Sequence, residues 1–347
     1  MILLGALGLA LIIAAAGLGG ALAWASGGSL RGPSRQALSA ERLEIEALPR
    51  VRPEGELQVV CWNIGWACGE GSEMRPGTPR KTEAEIRGAL TAIGETLATL
   101  DPDVVLLQEV DFGAARSFFV DQAALLAERA RLPYCLRGLS WDVRYLPFPP
   151  GRHAGRLRSG GAILSRFPLT EAAIELLEKP RRGFLYRRFY LYRYLLEAKL
   201  QAFGDGVALM TCHLEAYDAQ NRDQQAERLA AVLKDKPERR RVLAGDLNSV
   251  PPEAPQRHAY PDEPGTDHRR EQVIPRLRAI PGLRPVFTPA ALAADPAAHL
   301  SFPAKAPNRL LDHGFVGEGL EILEARVVRE AGAPSDHLPI VFRLRLV

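Results

Sequence analysis

The chain has 347 residues, 47% hydrophobic and 24% charged, the proportions of a globular protein and not of a disordered, collagenous or disulfide-scaffold chain. With 44 Lys and Arg against 41 Asp and Glu, the net charge of +3 exerts no overall pull toward nucleic acid, so any anion preference must come from local clustering. Cys61, Cys68, Cys135 and Cys212 form no CxxC pair and have no zinc-type His spacing, which argues against a structural zinc site; Cys61 and Cys212, inside apolar strand-like runs, read as buried free thiols, and a single non-essential disulfide stays open.

Ile2 to Ala25 carries no charged residue, and about 24 residues at about 1.5 Å each make a helix long enough for a hydrocarbon core. The expectation for residues 1–25 is an uncleaved, single-pass membrane anchor. Ala23-Trp24-Ala25 resembles a signal cleavage site, but no basic segment precedes the apolar run. Arg31, Arg35 and Arg42 follow it, which favours a cytoplasmic body, whereas a secretory reading puts the body outside, so the side stays open. Residues 26–56, rich in Gly, Pro and charge with one short helical stretch near Glu41 to Leu48, read as a linker.

From residue 57 onward short apolar runs alternate with helix-period segments. Strands are expected at Gln58–Trp62, Asp103–Leu107, Gly161–Leu164, Phe189–Leu200, Val207–Cys212, Val242–Ala244, Leu311–Val316, Ile322–Val328 and Ile340–Leu346. Helices are expected along the Ile86, Leu90, Ile93, Leu97, Leu100 face, over Phe119–Leu132 and over Arg222–Lys234. This alternation predicts an α/β body of sheets covered by helices.

Polar residues recur where the apolar strands end: Asn63, Glu109, His213, Asp246 with Asn248, and Asp336 with His337. Singly each has an ordinary reading as a turn former, a solvated strand end or a hydrogen-bonded histidine. Together they complement one task. Carboxylate and amide oxygens suit Mg²⁺ or Mn²⁺, which take few protein ligands and share their other positions with water and phosphate oxygen. Imidazoles beside carboxylates move protons, and an Asp-x-Asn pair puts a base and a neutral donor on one side of an extended strand. The set points to phosphoester hydrolysis by an activated water, with Glu109 the best single ligand for the ion.

The order and wording of these motifs resemble the endonuclease/exonuclease/phosphatase superfamily, which includes abasic-site endonucleases, deoxyribonuclease I, neutral sphingomyelinases and inositol polyphosphate phosphatases. The resemblance runs from Leu57 to Val347. It rests on CWNIGW around Asn63, LLQEVD around Glu109, GGAILSRFP at Gly160–Pro168, TCHLEA around His213, GDLNS at Gly245–Ser249, RLLDHGFV around Asp312 and SDHLPI at Ser335–Ile340. It implies a four-layer α/β/β/α sandwich of two mixed sheets, filling residues 57–347, with the site at one end of the sheets. It further implies that Glu109 and Asn63 bind metal, that Asp336 is a metal-side or water-side carboxylate, and that Asp246 orients or deprotonates the attacking water. Asn248 would hold a phosphate oxygen, His213 would contact the phosphate or leaving oxygen, and His337, oriented by Asp312, would stabilise the transition state or transfer a proton. Asp312 is followed by His313-Gly314 where many relatives carry an aromatic and an aliphatic residue, and the mid-chain Tyr of abasic-site enzymes has no clear counterpart, so a repair endonuclease is not the leading reading.

Between Arg131 and Lys199 basic residues outnumber acidic ones, a surface that would draw an anion if it is not simply a solvated face. Arg158 is the expected phosphate contact there, and the loop Pro147–His153 is expected near the cleft. His258 and His268, in the loop Pro251–Arg270, read as rim or surface residues. The reading is a membrane-tethered, Mg²⁺- or Mn²⁺-dependent phosphodiesterase acting on a small, lipid-linked or nucleic-acid phosphoester, with no obligate protein partner evident. The alternatives are a nuclease and a catalytically silent tethered binding module. An apolar lobe beside the metal would mark a lipid substrate, and a continuous Arg/Lys track would mark nucleic acid.

Overall fold

Side-chain alternation in one strand already dictates two cores. In Glu56–Asn63, residues Leu57, Val59 and Cys61 face one way and Val60 and Trp62 the other, and all five are buried, so both faces of its sheet must be covered. The computed structural model describes residues 2–30, 32–46, 53–69, 80–149, 151, 153–236 and 238–347, with only the backbone described for residues 2–10.

The first sheet is ordered β1 (Arg35–Ala37), β7 (Leu169–Leu176), β8 (Tyr194–Leu200), β9 (Val207–His213), β10 (Arg241–Asp246), β12 (Asp312–Gly317) and β11 (Leu283–Pro285). The second is ordered β13 (Leu320–Val327), β14 (Ile340–Leu346), β3 (Glu56–Asn63), β4 (Val104–Asp111), β6 (Gly155–Ser165), β5 (Tyr134–Leu146) and β2 (Glu41–Arg42). Both sheets are mixed: β9 runs parallel to β10 and β3 parallel to β4, and the other pairs are antiparallel. Leu57, Val59, Leu106, Ile163, Leu196, Leu209, Val242 and Phe342 fill the space between the sheets.

Helix α2 (Glu83–Leu100) buries Ile86, Leu90, Ile93 and Leu97, and with α3 (Gln122–Arg129) it covers the outer face of the second sheet. Its start is fixed by a capping box, in which Thr82 and Glu85 satisfy each other's backbone N–H groups. Helices α5 (Ala219–Asp235) and α6 (Val273–Arg278) cover the first sheet through Leu229, Leu233, Ile274 and Leu277. The layers are therefore helix, sheet, sheet, helix. Two short helices, α4 (Phe184–Phe189) and α7 (Pro289–Ala294), lie in connections.

Helix α1 spans Ile2–Ala25. Among the described residues no helix is long and apolar enough to cross a membrane, so the expected anchor over residues 1–25 is not supported. The linker expectation is corrected where it is described, because β1 pairs with β7 and β2 with β5. Glu41–Arg42 is thus strand and not helix, while residues 47–52 lie outside the described ones. Helix α3 is shorter than the expected Phe119–Leu132, since Phe118 and Phe119 take φ of 54° and 60°, which no helix continues. The expected strand at Phe189 begins only at Tyr194, because Phe184–Phe189 closes a helical turn.

A buried charge cluster ties the β4 end to the next turn. Asp111 accepts from Arg116 Nε (3.0 Å) and Nη2 (2.8 Å), and the guanidinium lies 3.8 Å from the Trp66 ring centroid. Both partners are buried, so removing the carboxylate strands a cation. Asp111→Ala should cost about 3–5 kcal/mol, read as a lowered midpoint in urea unfolding; an unchanged midpoint would show that the guanidinium reaches water.

Candidate active site

Register puts three of the expected residues side by side. Asp246, the last residue of β10, is level with His213 on β9 and with Asp312 on β12. The second sheet supplies the rest from its own strand ends. Asn63 Nδ2 donates to Asp246 Oδ2 at 3.0 Å, bridging the sheets, and His337 enters just before β14.

Asp246 is the hub. Its Oδ1 accepts from the Asn248 backbone N–H (2.9 Å), and its Oδ2 lies 3.4 Å from His213 Nε2 and 3.7 Å from His337 Nε2. Burial raises its pKa to about 6, although the His337 cation pulls it down. Asn248 sits at φ 49°, a left-handed conformation that Asn tolerates, and its side chain donates to the Leu214 carbonyl (2.9 Å).

Asp312 Oδ2 accepts from Ser301 Oγ (2.6 Å) and from His337 Nδ1 (2.8 Å). That bond fixes the tautomer and leaves Nε2 facing Asp246. Burial works against charge on His337, but the carboxylates of Asp312 and Asp246 outweigh it and push the pKa up to about 10. His213 goes the other way. Burial first, then the Arg193 and His337 cations, hold it well below its ordinary value, so it is neutral. Arg193 Nη1 lies 2.6 Å from His213 Nε2, and since a guanidinium only donates, that nitrogen accepts.

Glu109 reaches the site through a bulge. The β4–β6 register shifts between Leu107 and Val110, and Glu109 takes φ 54°, which turns its carboxylate out of the ladder. Burial and the facing Asp336 carboxylate raise its pKa to about 7. Two acidic groups against one cavity suit a hard cation held by few protein oxygens. Among the described residues no group of three or more His, Cys, Asp or Glu could hold a metal.

Glu109, His213, Asp246, Asn248, Asp336 and His337 line one cavity of about 450 Å³. Two expected residues lie outside the cavity lining. Asn63 is not among the lining residues; its Nδ2 is held by Asp246 and its Oδ1 accepts from Gly65 N–H (3.0 Å), so its amide is directed to positioning Asp246. Arg158 is exposed on β6, on the face opposite buried Leu157 and Ser159, and does not line the cavity. His268, expected at the rim or surface, lines the cavity but is buried there, 2.9 Å from Glu271.

The sequence reading missed Arg193, Ser301 and an aromatic wall. Arg193 is buried beside Glu215 (3.4 Å), yet in the run Arg187 to Arg193 nothing distinguishes it from solvated arginines. His313, the departure beside the dyad, is buried with Nε2 2.8 Å from the Ser249 carbonyl; it braces the loop that carries Asn248.

The family model described as Endonuclease/Exonuclease/phosphatase family matches residues 60–337. No curated protein matches the chain. Among solved structures, an endonuclease/exonuclease/phosphatase from Beutenbergia cavernae is similar at 22% identity and TM-score 0.54, covering 84% of this chain and 72% of that one. The human Nocturnin catalytic domain with bound sulfate aligns at 18% identity and TM-score 0.55, covering 92% and 100%. D. rerio TDP2 complexed with single strand DNA product aligns at 17% and 0.50, covering 84% and 100%. At these identities the structures establish a shared fold.

Proposed function

The chain belongs to the endonuclease/exonuclease/phosphatase family, and from that premise we propose that it hydrolyses a phosphodiester by direct attack of water on phosphorus. The observation that carries the reading is the convergence of Glu109, His213, Asp246, Asp336 and His337 on one cavity from both sheets. Asp246 takes a proton from the attacking water. As the new phosphorus–oxygen bond forms, the bond to the departing alcohol breaks. His337, kept charged by Asp312, faces that oxygen and donates the proton the alcohol needs. Asn63 and the Asn248 amide hold Asp246 in place, and Asn248 is a candidate donor to a phosphate oxygen. His213, neutral and buttressed by Arg193, contributes orientation and polarity; the proton balance closes without it. The products are a phosphomonoester and an alcohol.

Glu109 and Asp336 would hold a divalent cation, Mg²⁺ or Mn²⁺, and when bound it neutralises charge on the phosphate oxygens. Glu109→Gln should weaken Mg²⁺ binding by at least about a hundredfold, more than loss of an outer hydrogen-bonding partner usually costs, and activity should fall with it. Titration calorimetry on the folded variant checks this; unchanged affinity would remove Glu109 from the ion site.

Nuclease action receives less support from the cavity. Its basic lining residues among those described are Arg193 and Arg309, each buried in ion pairs, with Glu215 and with Asp262 and Glu263. Elsewhere in the basic stretch, Arg137 pairs with Glu41, Arg156 with Asp142, and Arg166 with Asp101 and Asp103. These pairings leave no continuous cationic track along the described cavity walls.

A further inference from the structure

The cavity is lined by two unlike sets of side chains: the polar Glu109, Asp246, Asp336 and His337, and an apolar wall that includes Trp141, Leu146, Phe148, Leu185 and Phe189. A site for a compact polar phosphoester has no use for that wall, which keeps apolar surface beside water. Phe148 and Leu185 are 43% and 48% exposed, and Phe184 next to them is 75% exposed, so the wall runs out to the cavity mouth.

The wall is also continuous with the N-terminal helix. Leu146 and Phe189 belong to the same buried cluster as Ala25, Trp141 and Val143, with Leu22 packed against it. The junction is pinned: Arg188 Nε donates to Ser26 Oγ (2.6 Å), and Ser29 N–H donates to Asp142 Oδ2 (2.7 Å). Beyond that junction α1 leaves Leu11, Ile12, Ile13 and Leu18 each more than 60% exposed, with no charged residue from Ile2 to Ala25. An apolar helix rooted in the wall of a catalytic cavity sets the mouth of that cavity beside whatever covers the helix. Hydrocarbon is the covering its composition fits.

Resting on the hydrolase reading above, we propose that the substrate is an amphiphilic phosphodiester of a lipid bilayer. Its phosphate lies among Glu109, Asp246 and His337, and its apolar chain lies along Trp141, Leu146, Phe148, Leu185 and Phe189.

The test uses the full-length protein with Mg²⁺ and a series of p-nitrophenyl alkyl phosphates from methyl to hexyl, kept below aggregation. Hydrolysis releases p-nitrophenol and the alkyl phosphate. The proposal expects kcat/KM to climb about fourfold with each methylene that reaches the wall, the ratio that about 0.8 kcal/mol per buried methylene implies. Leu185→Asn and Phe148→Ser, both at half-exposed positions and checked for folding by thermal melting, should each flatten that climb. Equal rates across the series would overturn the apolar subsite and leave the hydrolase reading standing. No turnover of any ester by the folded protein would overturn both. A long-chain ester in phosphatidylcholine vesicles tests the bilayer source: turnover there supports it, and turnover of monomers alone overturns it.

Discussion

Asp246→Asn should lower kcat by about a thousandfold while the protein stays folded. The carboxylate is buried, accepts from Asn63 Nδ2 and the Asn248 N–H, and lies 3.4 and 3.7 Å from the two imidazoles. An amide of the same shape fills the space and cannot take a proton, so the loss isolates general-base catalysis, whose contribution typically lies at about a hundred- to ten-thousandfold. Steady-state rates on a p-nitrophenyl phosphodiester, with thermal melting to confirm folding, measure it. A variant within a few fold of wild type would transfer the base role to another group.

Asp312→Asn should cost at least as much, about a thousand- to ten-thousandfold, by a different route. Asp312 accepts from His337 Nδ1 at 2.8 Å. An amide there no longer stabilises the charged ring or holds its orientation, and in other carboxylate–histidine systems the exchange costs about ten-thousandfold. The pH profile separates this from simple disorder. Burial disfavours charge on His337, and Asp312 is the first of the carboxylates that overcome it, raising the pKa to about 10. Without Asp312 the imidazolium loses its proton at lower pH, so the alkaline limb of the kcat profile should move down. A variant whose rate falls with that limb unmoved would mean that His337 does not act as the proton donor.

The contrast between these positions and the residues that went unread has a physical basis. β3, β4, β9 and β10 end in polar residues because buried strands read as apolar runs, and a carboxylate or imidazole directly after such a run stands out. Glu109, His213 and Asp246 were legible for that reason, and His337 because it stands with Asp336 just before the apolar run of β14. β5 and β7 were not, since Tyr134–Leu146 and Leu169–Leu176 mix Arg, Asp, Glu and Ser among their apolar residues; their pairing comes from neighbours and not from their own pattern. β1 and β2, of three and two residues, are too short to alternate at all. Arg193 depends on Glu215 and His213 for its burial, a tertiary fact invisible in its local run. The contact of Asn63 with Asp246 was not legible, because spacing cannot say which way an amide turns. Strand parity sets the placement of Arg158: Leu157 and Ser159 take the buried face of β6 and leave Arg158 outside.

The aromatic wall shows the same limit at larger scale. Trp141, Leu146, Phe148, Leu185 and Phe189 come from β5, the loop after it and α4, and each alone passes for core or surface. Only their assembly beside the catalytic side chains of the cavity separates an amphiphile site from a site for a small polar ester.

Following the reaction in heavy-oxygen water by phosphorus NMR tests the central claim most directly, because it reports where water bonds. The account predicts that wild-type protein consumes a phosphodiester and leaves the heavy oxygen on phosphorus in the monoester product, while Asp246→Asn produces almost none of that species. Heavy oxygen found in the alcohol, or labelled monoester formed equally fast by Asp246→Asn, would contradict it.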